Sequence, residues 1–172
     1  MDIQIRPENS GDIAAIEAVT IAAFLRVAHS SHTEQFIARA LRVANELTLS
    51  LVAREHHEII GHLALSPVTI TDNHGRKVDA WYGLGPLAVA PARQRQGIGT
   101  RLIERALLEL KAMRAAGCVL LGDPAYYSRF GWRAEPSLRL VGVPPEYFMA
   151  LSLHGSVPVG VVQYSEAFDA VA

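Results

Sequence analysis

Residues 84–110, LGPLAVAPARQRQGIGTRLIERALLEL, constrain this chain more than any other stretch. They read as an apolar strand, a short loop rich in Arg and Gln, and a Gly-x-Gly step into an amphipathic helix. A helix start leaves four N–H groups without partners inside the helix, and its macrodipole places about half a positive charge there. Gly97 and Gly99 carry no Cβ, so a ligand can approach the backbone closely. Arg93 and Arg95 add positive charge beside those amides. The stretch is therefore read as a phosphate or pyrophosphate site at the start of the helix beyond Gly97.

At 172 residues the chain is expected to form a single domain, 1–172, long enough to bury a core. The net charge of -1 argues against broad nucleic-acid binding, which needs a basic surface. Cys118 is the only cysteine, so no intramolecular disulfide can form, which fits a reducing cytoplasm. The opening MDIQIRPENS has no apolar signal core, and no apolar run approaches the roughly 20 residues that span a bilayer. A cytoplasmic protein with no membrane or nucleic-acid partner is expected. His29 and His32 stand three apart but have no third ligand nearby, so no metal is expected.

In chain order, 3–6 predict a strand, ended by Pro7, with Asn9 or Ser10 as the cap of the first helix. Helical spacing predicts that helix over 11–27 and a second over 34–45 capped by Thr33. Residues 47–54 and 59–71 predict a hairpin, with Pro67 marking a bulge or bend. Residues 78–84 climb into the central strand. After the helix over 97–115, Gly117 is expected as its C-cap and 118–121 as a strand buried on both faces. The helix buries Ile98, Leu102, Ala106, Leu110 and Met113, and pairs Arg105 with Glu109 on its solvated face. Residues 125–130 form a helical turn closed by Gly131, and 138–143, 148–153 and 159–164 are strand candidates. Strands on both sides of a strand–helix–strand unit predict one mixed α/β sheet.

Three anion-binding patterns compete for 84–110. A P-loop needs Lys before its Ser or Thr, and none is present; a dinucleotide loop needs a third Gly, and Leu102 stands there. Gln94, Gly97 and Gly99 satisfy the third, Gln/Arg-x-x-Gly-x-Gly/Ala. With this step the segment resembles the acetyl-CoA-binding motif of the GNAT (Gcn5-related) N-acetyltransferase superfamily. YYSRFGW at 126–132 resembles that superfamily's Tyr-x-x-x-Gly-aromatic signature. More narrowly, GHLALSPVTI, WYGLGPLAV and CVLLGDPAYYSRFGW resemble its YhbS-like branch.

The resemblance implies an α/β (α+β) fold: a mainly antiparallel, six- or seven-stranded mixed sheet flanked by helices and splayed between its fourth and fifth strands. It implies acetyl-CoA as cosubstrate, its pyrophosphate held by the amides of Arg95, Gln96, Gly97, Ile98, Gly99 and Thr100. The pantetheine arm would pair with Leu87, Ala88 and Val89. Independently of the resemblance, Pro86 has no N–H, so Gly85–Pro86 is a natural place for a break in the ladder. The implied activity is acyl-CoA-dependent N-acyl transfer, acetyl to a primary amine of a small molecule or peptide, by direct attack in a ternary complex. The alternative is a non-catalytic CoA-binding or sensing module.

In that chemistry the resemblance makes Tyr127 the general acid for the leaving thiolate, with Tyr126 as rival, and the Val89 N–H the group that polarises the carbonyl. The base is open. Asp123 at the strand end, Asp79 before the central strand, and His62 in the third strand are candidates, beside a water chain. Asp123 can equally cap the turn after it, and His62 can equally be a satisfied core residue. Residues 144–172 carry no readable motif and are where a protein partner or a homodimer contact would lie.

Overall fold

The computed structural model describes residues 2–172. Its strands are β1 (Ile3–Pro7), β2 (Leu49–Glu55), β3 (Glu58–Pro67), β4 (Thr69–Asp72), β5 (Lys77–Val78), β6 (Trp81–Val89), β7 (Gly117–Leu121), β8 (Arg133–Ala134), β9 (Leu138–Arg139), β10 (Phe148–Ser152) and β11 (Gly160–Gln163). Its helices are α1 (Ile13–Phe24), α2 (Glu34–Val43), α3 (Ile98–Ala112) and the one-turn α4 (Pro124–Tyr127). Seven strands form a sheet in the order β1-β2-β3-β6-β7-β10-β8, and four form a second sheet, β5-β4-β11-β9. The α/β class and the seven-stranded sheet agree with the expectation. The single sheet does not, because Pro67 ends β3 and the residues beyond it join the second sheet. The expected strand over 59–71 is thus two strands.

Contacts group the residues into two compact units. The first comprises the chain up to Ser66, Gly85–Glu109 and Glu166–Ala172. Here β1, β2 and β3 pair antiparallel. Asn9 caps the turn into α1, with Asp12 reaching back to its N–H. Thr33 does not cap α2, because its hydroxyl pairs with Ser31 Oγ at 2.5 Å instead. Ile37 and Leu41 of α2 pack with Ala167 in a small apolar cluster. The buried stripe of α3 is Ile98, Leu102, Ile103, Ala106 and Leu110. Met113, expected in that stripe, lies one residue past the helix and is 38% exposed. The helix lies close on β3 where that strand has no side chain: a Cβ on Gly61 would sit 3.1 Å from Leu102 Cδ1 and 3.2 Å from Ile98 Cγ2. Arg101 Nη2 donates to Ile3 O at 2.7 Å, so the helix also satisfies a carbonyl of the edge strand β1.

The second unit comprises Pro67–Leu84 and Leu110–Ser165. Its core is Val68, Ile70, Trp81, Val119, Leu138, Phe148, Ala150 and Val162. Strand β7 pairs antiparallel with β10 through five residues. It pairs parallel with β6 through three, Trp81↔Gly117, Tyr82↔Cys118 and Gly83↔Val119. Gly117 does not cap α3; it is the first residue of β7, and Arg114, at φ 58°, takes the left-handed position after the helix. Gly117 is there for the Trp81 ring: a Cβ would fall 2.3 Å from Trp81 Cη2. Trp81 is buried and cannot swing aside. Gly117→Ala is therefore expected to destabilise by about 1–3 kcal/mol, the usual range for overpacking. A urea midpoint equal to wild type would remove this account.

Candidate functional site

The first unit carries the anion loop. Strand β6 makes no pair with β7 beyond Gly83, and the Gly85–Pro86 peptide just past that point is cis. From there Pro86 and Ala88 turn inward while Leu87 and Val89 stay half-exposed, the alternation of a strand with one open face. Gln94 bends the chain back by donating from Nε2 to Val89 O at 3.1 Å. Gln96 tightens the same turn, donating to Ala92 O at 3.2 Å and accepting from Arg93 Nε at 3.2 Å. Arg95 at φ 60° and Gly97 at φ 82° are left-handed. Such alternation of backbone handedness makes successive amides converge, as anion-binding nests require.

The first bond of α3 runs from Arg101 N to Gly97 O at 3.1 Å. The N–H groups of Ile98, Gly99 and Thr100 therefore have no carbonyl inside the helix, and Gly97 has no side chain to cap them. The two arginines do not act alike. Arg93 is held by Glu55 at the end of β2, with Nη2 donating to Glu55 Oε1 at 3.0 Å and Nη1 to Oε2. That pair is locally neutral, so Arg93 does not add the net positive charge expected of it beside the amides. Arg95 is exposed and makes no hydrogen bond or ion pair among the described residues. A loop with three open amides and one open cation can take a phosphate or pyrophosphate.

His62 lies in the same unit with no solvent-accessible surface. Its Nε2 is 2.7 Å from Ser50 Oγ. The Ser50 hydroxyl donates to Glu8, so its oxygen accepts from His62 and the ring proton sits on Nε2. Arg42 grips Glu8 with two bonds of 2.8 and 2.9 Å. His62 Nδ1 has no hydrogen-bond partner among the described residues. Burial pushes the His62 pKa down to about 4, against the pull of Glu8. A closed, neutral imidazole has the form of a structural residue, and no acceptor amine could reach it in this conformation.

The second unit carries the tyrosine. Asp123 caps α4 through its side chain, accepting from Ala125 N at 2.9 Å, and through its carbonyl, accepting from Tyr126 N and Tyr127 N at 3.0 Å each. Tyr127 meets Tyr126 edge-on at 4.9 Å and Trp132 at 6.2 Å. Trp132 is buried, its Nε1 donating to Cys118 O at 3.1 Å. Burial, with a smaller push from Tyr126, raises the Tyr127 pKa. The phenol is thus a neutral O–H donor at physiological pH. Asp79 is exposed and helps line a cavity of about 330 Å³ with Thr69, Lys77 and Tyr82. Cys118 is buried and its thiol pKa raised by burial, as an inert small hydrophobe requires.

The structure thus assembles Leu87, Ala88, Val89 and Arg95–Thr100 into one strand-loop-helix, and Asp123 with Tyr127 into one turn. Asp79 belongs to the connection between β5 and β6 in the second unit. Sequence reasoning missed Glu55 and the Glu8–Arg42–Ser50 cluster, which no local pattern announces: each partner lies tens of residues away. No group of three or more metal-ligating side chains occurs among the described residues. No helix among them is long and apolar enough to cross a membrane.

Comparisons with known proteins bear on these features. The family described as Acetyltransferase (GNAT) domain matches residues 4–134. The uncharacterized N-acetyltransferase YhbS of Escherichia coli K12 is 35% identical over 161 residues, covering 90% of this chain and 94% of the relative. A GNAT family acetyltransferase from Brucella melitensis, solved in complex with acetyl-CoA, superposes with a TM-score of 0.85 at 47% identity, covering 97% of this chain and 98% of that one. The E. coli YhbS structure in complex with CoA superposes at 0.84 with 33% identity, covering 99% and 93%.

The His62 geometry has a pH signature. The folded pKa lies below the unfolded value of about 6.5, so the unfolded chain binds the proton first. The contribution is full above about pH 6.5 and is lost as pH falls through about 4, on the order of 3 kcal/mol in all. Urea unfolding across this window is expected to show stability falling with pH in wild type and a flatter profile in His62→Gln. Equal slopes would contradict the assignment.

Proposed function

The chain belongs to the GNAT acetyltransferase family, and from that premise we propose that it transfers acetyl from acetyl-CoA to a primary amine by direct attack. The observation that carries the reading is the start of α3, where the amides of Ile98, Gly99 and Thr100 stand open beside the unpaired Arg95. The CoA pyrophosphate takes those amides together with the loop N–H groups of Arg95, Gln96 and Gly97. The pantetheine arm adds to β6 at Leu87, Ala88 and Val89, where the strand has left its β7 partner.

In the reaction the amine nitrogen attacks the thioester carbonyl carbon, and the Val89 N–H stabilises the charge that develops on its oxygen. The C–S bond breaks as the amide C–N bond forms. The leaving thiolate takes the Tyr127 phenolic proton, and solvent later restores it. The phenol is neutral at physiological pH even at its ordinary pKa of about 10, and so carries the proton that a leaving thiolate needs. The ammonium loses one proton before attack, and the nitrogen loses a second to solvent as the tetrahedral adduct collapses to the amide. Of the groups expected to take the first, His62 is closed to solvent and Asp123 has one carboxylate oxygen engaged in the cap. Asp79 is exposed and makes no side-chain hydrogen bond among the described residues, so its carboxylate, like solvent, is available to take a proton.

Calorimetry with CoA and thiol release from acetyl-CoA across an amine panel test the reading. Tight CoA binding without turnover on any amine would leave a sensing module in its place, and no binding would end it. Tyr127→Phe is expected to lower kcat by roughly 10–1000-fold with little change in KM for acetyl-CoA. Arg95→Ala is expected to weaken CoA about tenfold, the scale of one lost charge-assisted bond, with the deficit shrinking at high salt. An unchanged rate removes Tyr127 from the mechanism, and an unchanged affinity removes Arg95 from the pyrophosphate site.

A further inference from the structure

The Tyr127 ring lies against the chain just past the end of β7, at the one residue there with no side chain. A Cβ on Gly122 would fall 2.3 Å from Tyr127 Cε2 and 2.6 Å from Cδ2. Real Cβ atoms do not approach that closely, so the ring or the backbone would have to move. Nothing in the Gly122 backbone asks for glycine, because its φ is not in the left-handed region. The ring makes the main demand, with Leu120 Cδ1 a lesser contact at 3.2 Å. The ring is also hemmed in, by Tyr126 on one side and by buried Trp132 on another. The backbone is tied as well, Gly122 N donating to Tyr147 O at 3.0 Å.

The turn that carries Tyr127 is held from one residue. Asp123 Oδ1 accepts from Ala125 N, and Asp123 O accepts from the Tyr127 N–H itself. A helix of four residues has no length to stabilise it, so its cap decides whether it forms. We infer that Gly122 and Asp123 are positioning residues for Tyr127: the bare Cα of Gly122 is the floor on which the ring rests, and the Asp123 carboxylate fixes the turn that delivers it. This rests on the reading of Tyr127 as the acid, and it gives Asp123 a structural task in place of proton transfer.

The full-length chain is tested as Gly122→Ala, Asp123→Asn and Asp123→Ala, using acetyl-CoA and an amine that wild type acetylates. Protein labelled with fluorotyrosine reports the ring by fluorine NMR, the Tyr127 resonance being the one lost in Tyr127→Phe. Gly122→Ala is expected to shift that resonance and to lower kcat about as far as Tyr127→Phe, with KM for acetyl-CoA within about twofold and no further loss in the double variant. Asp123→Asn keeps a cap acceptor and is expected to retain kcat within about twofold, whereas Asp123→Ala loses about tenfold and shifts the resonance. An unmoved resonance and unchanged kcat in Gly122→Ala overturn the floor. Asp123→Asn as damaging as Asp123→Ala overturns the cap, since the charge and not the acceptor would then matter. The aspartate pair decides the matter alone if Gly122→Ala does not fold. If Tyr127→Phe leaves kcat unchanged, the acid reading fails, and the resonance shifts still decide whether these two residues set the ring.

Discussion

The use of β6 depends on the backbone it leaves unpaired beyond Gly83, a stretch in which Pro86 has no amide proton to give. The parallel ladder with β7 stops after three pairs, at Gly83↔Val119, two residues short of the end of β7, and β6 continues to Val89 without that partner. A backbone left unpaired on one edge must satisfy its polar groups elsewhere, in water or in a ligand. The pantetheine arm, itself built of amides, is a ligand suited to such an edge.

The loop after β6 is shaped by side chains that do not bind anything themselves. Gln94 donates to the last carbonyl of β6 and Gln96 to that of Ala92 in the loop, and Arg93 is drawn to Glu55. Those contacts leave the α3 amides and Arg95 as the groups facing outward. The helix is seated by the absence of a side chain at Gly61, so Ile98 and Leu102 lie directly on β3. Seating and loop shape together place the positive end of the helix, which is where its electrostatic value lies. Close approach at glycine recurs in the second unit, where Trp81 lies on Gly117 and Tyr127 on Gly122.

Much of this was legible in order along the chain. The helix spacing, the Gly97–Gly99 step, the break at Gly85–Pro86 and the cap at Asp123 are local signals, each produced by residues within a turn of one another. The same locality explains the misreadings. Gly117 was a plausible cap by position, but its reason is Trp81, which is remote in sequence. Thr33 has the right chemistry for a cap, but Ser31 takes its hydroxyl. Arg93 reads as a free cation until Glu55 of β2 is brought beside it. The second sheet was invisible because its strands are short and pair across long separations, Thr69–Asp72 with Gly160–Gln163.

The sequence by itself determined the fold class, the strand-loop-helix and the donors that can hold a pyrophosphate, because periodicity, glycine freedom and the missing proline N–H act within a few residues. Only the tertiary structure decided which charges stay free, which histidine is sealed, and which tyrosine is held on bare backbone. Those outcomes depend on burial and on partners from distant strands. Desolvation, pairing and close packing are properties of the folded neighbourhood, and no local pattern encodes them.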